Sequence, residues 1–73
     1  MKIEKTKDGW QLYCEKTKRD YHIRKDYGFW TLDIFNSDIE KDHVLAYVNT
    51  QIHKSLQDAI SDAFADSDDF ERD

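Results

Sequence analysis

Residues 21–35 read YHIRKDYGFWTLDIF, and their pattern is the clearest indication of secondary structure in the chain. Apolar side chains recur at every second position on both sides of Asp26-Tyr27-Gly28, which is the spacing of a strand with one buried face. Glycine tolerates a positive φ, so this tripeptide predicts a tight turn. The stretch therefore predicts a β-hairpin whose inward positions are Tyr21, Ile23, Trp30, Leu32 and Ile34.

The same alternation continues toward the N-terminus. Trp10, Leu12 and Cys14 again occupy every second position, and Lys7-Asp8-Gly9 gives a second hairpin signal in front of them. The polar run of residues 16–20 supplies the turn between these two hairpins. We predict four antiparallel strands, at residues 2–6, 10–16, 21–25 and 29–35.

The C-terminal part of the chain predicts an amphipathic helix. Apolar residues there follow the i, i+3, i+4, i+7, i+8 spacing of one helical stripe, and Ser55 with Asp58 resembles a capping box. This periodicity ends at Ala65, so we expect the acidic residues after it to fray. The stripe consists of Leu56, Ala59, Ile60, Ala63 and Phe64.

Residues 44–52, VLAYVNTQI, fit two structures. With a period of two, Val44, Ala46 and Val48 share one side of a fifth strand, which β-branched residues favour. With a period of 3.6, Val44 and Val48 extend the helical stripe upstream, and residues 37–40, SDIE, form a capping box that opens the helix. The helix explains both the cap and the stripe, and is preferred.

The predicted fold class is α+β, in a single domain of residues 1–73. A four-stranded antiparallel β-meander covers residues 1–36, with a fifth strand as the alternative. Residues 37–65 are predicted to be mainly helical, with the C-terminal amphipathic helix packed on one face of the sheet. Residues 66–73 form an acidic frayed tail.

Length and composition exclude several classes of protein. A chain of 73 residues buries roughly 60 % of its unfolded surface, so it builds one thin core, and we expect no cofactor. Ten aromatic residues argue against disorder. No apolar stretch approaches a membrane span, and no apolar segment follows MKIEK as in a secretory signal. A single cysteine, Cys14, is typical of a reducing compartment, so we expect a cytoplasmic protein.

The titratable residues do not predict catalysis. His22, His43 and His53 lack the spacing of a metal site, which needs three or four converging ligands. Cys14 lies on the predicted core face, where a cysteine behaves as a small apolar residue. The carboxylates cluster on exposed positions, whereas general acid–base chemistry needs one in a pocket. We expect a protein that is not an enzyme and holds no metal.

Charge is divided unevenly along the chain. Residues 1–25 carry a net charge of +4 and residues 26–73 a net charge of −9, within a total of −5. Acidic residues repeat every four positions on the C-terminal helix, where like charges destabilise each other by about 0.2–0.5 kcal/mol per pair. Such a row is either a solubilising face or a docking surface that imitates nucleic-acid phosphates. Asp58, Asp62 and Asp66 have this spacing, and Asp68 and Asp69 add acidic residues near the C-terminus.

A second candidate surface lies on the sheet face turned away from the helix. Alternation places Tyr13, Phe29 and Phe35 there, with Tyr27 at the adjacent turn. Aromatic residues outside the core and rimmed by charge are typical of a protein interface, and a homodimer is an equally simple use of them. In the alternative interpretation Met1, Tyr47 or the C-terminal tail covers this face.

A DNA-binding domain is the second function to weigh. The segments YHIRK at 21–25 and GFWTL at 28–32, followed by a helix, resemble the AP2-like and phage-integrase arm-binding domains, which lay a three-stranded sheet in the major groove. That resemblance implies DNA contacts from Arg24 and Lys25, with Lys18 and Arg19 beside them. The net charge is −5, and the fourth predicted strand has few basic residues with which to neutralise phosphates. Direct nucleic-acid binding is therefore the minor alternative.

These observations favour a non-enzymatic protein that binds and occludes another protein. In size, acidity and lack of motifs the chain is similar to small phage or mobile-element inhibitors of host defence, the anti-CRISPR proteins among them. The expected partner carries a basic, nucleic-acid-binding surface. Asp58, Asp62, Asp66, Asp68 and Asp69 would attract it, and Tyr13, Phe29 and Phe35 would anchor it. A structural, self-associating module is the remaining alternative.

Overall fold

Five strands and one helix make up the described part of the chain. The computed structural model describes residues 1–37 and 46–71, with side chains as far as Ser67. The elements are β1 (Lys2–Lys5), β2 (Gly9–Cys14), β3 (Arg19–Asp26), β4 (Phe29–Asn36), β5 (Tyr47–His53) and α1 (Leu56–Glu71). The strands form one antiparallel sheet in the order β1-β2-β3-β4-β5. Because α1 packs on β3, β4 and β5, the predicted α+β meander with a C-terminal helix is confirmed.

The hairpin between β3 and β4 turns in two residues. Tyr27 has φ 50° and Gly28 has φ 83°, so both central residues are left-handed. This is the geometry that matches the twist of the flanking strands in a two-residue hairpin. The turn predicted from Asp26-Tyr27-Gly28 is therefore confirmed, with a tyrosine at a position where an asparagine is usual.

The first hairpin turns where predicted, although its glycine serves a different purpose. Thr6 and Gly9 close the turn through two hydrogen bonds, from the Thr6 amide to the Gly9 carbonyl and from the Gly9 amide to the Thr6 hydroxyl. A Cβ on Gly9 would lie 2.0 Å from the carbonyl oxygen of Ile23 on β3. A positive φ does not explain Gly9, because Gly28 is the glycine that has one. The close approach of β3 requires the glycine here.

The prediction of a helix over residues 44–52 is wrong in the part that the structure describes. β5 occupies Tyr47–His53, within the span 37–65 predicted to be mainly helical, and the alternative of a fifth strand is correct. A β-bulge opposite the Ile34/Phe35 step gives β5 an extra residue, Val48, which packs against the core. Pairing with β4 therefore outweighs the helical stripe. The predicted cap at residues 37–40 lies, after Ser37, outside the described residues.

Helix α1 begins as predicted and extends further than predicted. The Asp58 amide donates to the Ser55 hydroxyl at 3.1 Å, which is an N-cap. At the other end the helix continues to Glu71, so the prediction of a frayed tail from residue 66 is wrong for residues 66–71. The side chains of Asp66 and Ser67 bond to the sheet, and this tertiary contact offsets the unfavourable charge at the end of the helix.

The core lies between α1 and the face of the sheet that it covers. Every predicted inward residue of β3 and β4 is buried or packs against buried residues, with Trp10 and Trp30 at the margin. Alanines at the centre of the helix stripe allow α1 to lie close to the sheet. The buried apolar cluster consists of Leu12, Cys14, Tyr21, Ile23, Leu32, Ile34, Ala59 and Ala63. No helix among the described residues is long and apolar enough to cross a membrane.

Candidate functional site

The sheet face opposite α1 is the candidate site, and strand register defines it. Side chains alternate between the two faces, so partners across neighbouring strands share a face. One row runs from Tyr13 through Asp20 and Phe35 to Tyr47, and the next from Gln11 through His22 and Asp33 to Thr50. We call this surface the open face. It consists of Gln11, Tyr13, Asp20, His22, Arg24, Phe29, Thr31, Asp33, Phe35, Tyr47, Thr50 and Ile52.

An aromatic cluster occupies the centre of the open face. The ring centroids of His22 and Phe35 are 5.3 Å apart, and those of Phe35 and Tyr47 are 5.9 Å apart in an edge-to-face arrangement. Phe35 is half-buried within this cluster, whereas 52 % of the Tyr47 surface is exposed. Edge-to-face pairs contribute about 0.5–1.5 kcal/mol beyond their buried area. The cluster is therefore a fixed, apolar contact area.

Hydrogen bonds fix the polar edge of that cluster. The Tyr47 hydroxyl donates to Thr50 Oγ1 at 2.6 Å, and Thr50 Oγ1 donates to Asp33 Oδ1, also at 2.6 Å. Arg24 Nη2 lies 3.6 Å from the other oxygen of the Asp33 carboxylate. The carboxylate is thus held by side chains of β3 and β5, which lock the neighbouring rings in place.

The predicted open-face residues are all found on that face but at different depths. Phe35 is central, and Tyr13 is half-buried beside a concavity of about 230 Å³ lined by Lys2, Glu4, Gln11, Tyr13 and Asp20. Phe29 lies at the far end of β4 and is 48 % exposed. Phe29 and Phe35 are separated by six residues of one strand, about 20 Å, so they belong to two different parts of the surface.

The acidic row on α1 does not stay free along its length. Asp58 is exposed near the start of the helix. Oδ2 of Asp62 lies 3.1 Å from Nε2 of His53 on β5. Asp66 accepts two hydrogen bonds from Arg19 Nη1, both at 2.9 Å, and one from the Tyr21 hydroxyl at 2.7 Å. Asp68 and Asp69 lie within α1, and their side chains are outside the described set.

The Asp66 contact has a clear electrostatic consequence for Tyr21. Burial raises the pKa of the Tyr21 hydroxyl, and the hydrogen bond to Asp66 and the negative charge of that carboxylate raise it further. The hydroxyl therefore stays protonated and donates to Asp66. A fully buried tyrosine thus links the first residues of β3 to the last turns of the helix.

Cys14 is part of the same junction between the sheet and the helix. Its Sγ lies 3.2 Å from the Ser67 hydroxyl, and both residues are buried. Burial raises the pKa of the thiol, but hydrogen bonds from Ser67 and Thr17 and from the backbone at Thr17 and Lys16 lower it more, so the net shift is downward. With the thiol enclosed, this contact serves the docking of α1.

The four basic side chains of the predicted DNA-binding site do not form one patch. Lys18 lies in the turn before β3, and Arg19, the first residue of β3, pairs with Asp66. Arg24 and Lys25 lie near the end of β3, about 17 Å away. Those two point to opposite faces, since Arg24 pairs with Asp33 on the open face and Lys25 Nζ lies 5.9 Å from the ring centroid of Trp30 on the other.

Sequence reasoning missed the exposed large hydrophobic residues that β5 contributes to the open face, Tyr47 and Ile52. Both were assigned to a helix, although the alternating β-branched residues Val48, Thr50 and Ile52 gave the signal for a strand. Ile52 pairs with Thr31 and is 70 % exposed. Ile52 and its diagonal neighbour Phe29 add exposed apolar surface at this end of the face.

The open face offers contact area and little enclosure. Its concavity beside Tyr13 and a second one of about 210 Å³ near Trp10 are side-chain-sized. Within residues 1–37 and 46–71, no group of three or more His, Cys, Asp or Glu could hold a metal ion. The chemistry available here is the burial of aromatic and aliphatic side chains against another surface.

No protein-family model, no curated protein and no solved structure matches this chain.

Proposed function

We propose that this chain is a non-enzymatic protein that binds another protein through the open face of its sheet and occludes the surface it covers. The observation that carries the proposal is the exposure of large apolar side chains on the face opposite α1. Phe29, Tyr47 and Ile52 together with the adjacent Tyr27 are among the exposed large hydrophobic residues of the described chain. Aromatic residues in this setting are typical of interface cores.

The charges limit what the acidic helix contributes to binding. Asp62 and Asp66 have partners within the molecule, at His53 and Arg19. A carboxylate held by an arginine attracts a foreign cation less, since much of its field is neutralised. The expectation of a nucleic-acid mimic that meets a basic partner therefore depends on Asp58, on the side chains of Asp68 and Asp69, and on Asp62, which is 47 % exposed beside a histidine and not an arginine. The finer expectation of a phage-type inhibitor of host defence, such as an anti-CRISPR protein, stays a prediction.

Direct DNA binding is less favoured by the geometry. Contacts with DNA phosphates need basic side chains that converge on one stretch of the backbone. Here Arg19 and Arg24 each meet a carboxylate, and the two ends of β3 are far apart.

A pull-down from the cytoplasm of the source cell tests the proposal. The tagged protein should retain a partner, the double variant Phe29→Ser/Ile52→Ser should lose it, and Gln57→Ser on α1 should keep it. All three positions are exposed, so these changes leave the core intact. Asp66→Asn is unsuitable here, because it also breaks the contact with Arg19. Retention of the same partner by the double variant, or of none by the unmodified protein, would contradict the proposal.

A further inference from the structure

Strand β1 forms an open edge of the sheet. Within residues 1–37 and 46–71 it pairs with β2 alone, and all four of its residues are exposed. Helix α1 packs on β3, β4 and β5, at the other side of the sheet. Ile3 lies opposite Leu12 of β2, and 53 % of its surface is exposed. An edge of this kind presents amides and carbonyls to a further strand.

The β1–β2 turn shows which backbone groups of β1 point outward. The Thr6 amide donates to the first carbonyl of β2, so the backbone groups of Thr6 face β2. Successive residues of an antiparallel strand face alternate sides, so those of Glu4 and Lys2 also face β2. The amides and carbonyls of Ile3 and Lys5 therefore point to the free edge. A further antiparallel strand bonds here only in registers that set its own outward residues opposite these two.

For a second copy of β1, charge distinguishes between these registers. With the two-fold axis at Ile3, Lys2 of each copy lies opposite Glu4 of the other, and the two Ile3 side chains face each other. With the axis at Lys2, Glu4 or Lys5, two like charges meet on the axis instead. Opposite charges in directly opposed positions stabilise a pair of strands by about 0.2–1 kcal/mol, and like charges destabilise it.

The geometry of the Ile3 register favours these contacts. Lys2 and Glu4 occupy non-hydrogen-bonded positions, where side chains of neighbouring strands approach most closely. Lysines on an edge ordinarily oppose pairing, but here each lysine at position 2 meets a glutamate. The two helices do not obstruct the contact, because the two β3 strands would be five strand spacings apart, about 24 Å, and a helix with its side chains is about 10–12 Å across.

We propose that β1 pairs with β1 of a second copy of this chain, in the antiparallel register with its two-fold axis at Ile3. The two sheets become continuous, the Ile3 side chains cover each other, and the two open faces adjoin at the concavities that Lys2 and Glu4 line. The dimer is independent of the proposed function, since it uses the edge of the sheet and leaves the exposed residues of β4 and β5 free.

Sedimentation equilibrium of the purified chain tests the dimer. The paired edge is shorter than a standard interface, so association is measured from about 10 µM to 1 mM. Lys2→Glu and Glu4→Lys should each weaken it at least about fourfold, because each variant opposes like charges at two positions. Lys7→Glu and Glu15→Lys, exposed positions outside the edge, are the controls for net charge and should have little effect.

Exchange of the two charges tests the register. The double variant Lys2→Glu/Glu4→Lys restores both opposite pairs and should associate within about twofold of the unmodified protein. An equimolar mixture of the two single variants should associate more tightly than either alone, because all its cross-pairs are of opposite charge. A chain that stays monomeric at 1 mM would overturn the proposal. So would a dimer that Lys2→Glu and Glu4→Lys leave unchanged, or one that the double variant does not restore.

Disulfide cross-linking tests the register without changing a charge at positions 2 and 4. Ile3→Cys sets two thiols opposite each other on the axis, at a Cα separation of about 5.5 Å that suits a disulfide. It should form a covalent dimer on oxidation. Lys5→Cys on the same edge should not, because the two copies of position 5 are four residues apart along the strands, about 13 Å. Cys14 is buried in both variants and gives the same background. Equally rapid cross-linking of Lys5→Cys and Ile3→Cys would overturn this register.

Discussion

Replacing Tyr27 by asparagine is expected to stabilise the folded protein. Tyr27 and Gly28 are the two central residues of the β3–β4 turn, and both have a positive φ. Asparagine followed by glycine is the preferred pair for this turn, because a short polar side chain tolerates the left-handed region. Tyr27→Asn therefore relieves strain without altering either strand.

The size of the effect follows from two features of the structure. The left-handed conformation costs about 1–2 kcal/mol for an L-residue with an ordinary side chain, and asparagine recovers a large part of it. Loss of the tyrosine ring has almost no opposing cost, since 96 % of that residue is already exposed to solvent. We expect the free energy of unfolding to rise by about 1 kcal/mol. In a domain of this size that raises Tm by about 4–8 °C.

Thermal unfolding followed by far-UV circular dichroism measures the change, with urea unfolding as an independent value of the free energy. Tyr27→Phe is the matched control, because it keeps both the ring and the strain and should leave Tm unchanged. A fall in Tm for Tyr27→Asn, or an equal rise for Tyr27→Phe, would contradict the claim that the left-handed conformation of Tyr27 destabilises the fold. The fall would mean that the ring or its hydroxyl makes a stabilising contact at the turn. The rise for Tyr27→Phe would mean that the hydroxyl, and not the backbone conformation, is unfavourable.

Three further predictions concern the packing of the sheet and the helix. Asp66→Asn should lower the free energy of unfolding by about 2 kcal/mol in urea denaturation, because it removes a charged acceptor of the largely buried Arg19 guanidinium. Asp58→Asn, which is exposed, should change it little, and equal effects would contradict the role of Asp66. Because the pKa of Tyr21 is raised on folding, its protonated hydroxyl contributes fully to the free energy of unfolding below pH about 10, the ordinary tyrosine value. This contribution is lost as the pH rises toward the pKa of the folded state. Absorbance titration at 295 nm should show a late-ionising tyrosine that Tyr21→Phe removes, and an unchanged titration curve would argue against the Asp66 contact. Gly9→Ala should lower the free energy of unfolding by about 3 kcal/mol, because its Cβ would meet the Ile23 carbonyl oxygen. Gly28→Ala has free space and should lower it only by the strain of a positive φ, about 1–2 kcal/mol. A lower Tm for Gly28→Ala than for Gly9→Ala would show that β3 does not approach Gly9 this closely.

Local sequence patterns determined the sheet and the start of the helix. The alternation through Leu12, Ile23 and Leu32 places those residues on one face whatever the tertiary partners are, because side chains of a strand alternate. The turn at Gly28 and the cap at Ser55 are equally local, whereas the need for glycine at position 9 comes from the close approach of β3. For these elements the pattern over five to ten residues already contains the information.

Tertiary structure decided residues 47–53 and the end of the helix. The segment around Val48 fits both the two-residue period of a strand and the 3.6-residue period of a helix. It forms a strand because the edge of β4 offers hydrogen bonds to a fifth strand. Along α1, three carboxylates four residues apart predict repulsion. Arg19, 47 residues earlier in the chain, reverses the sign of that interaction for Asp66.

The same division holds for the candidate site. Alternation alone placed Tyr13, Phe29 and Phe35 on the open face. The sequence did not separate Phe29 from Phe35, nor did it add Ile52 and Tyr47, because their positions depend on strand order and register. That Asp66 is held within the molecule while Tyr27 is strained and exposed follows from distances and dihedral angles that only the folded chain defines.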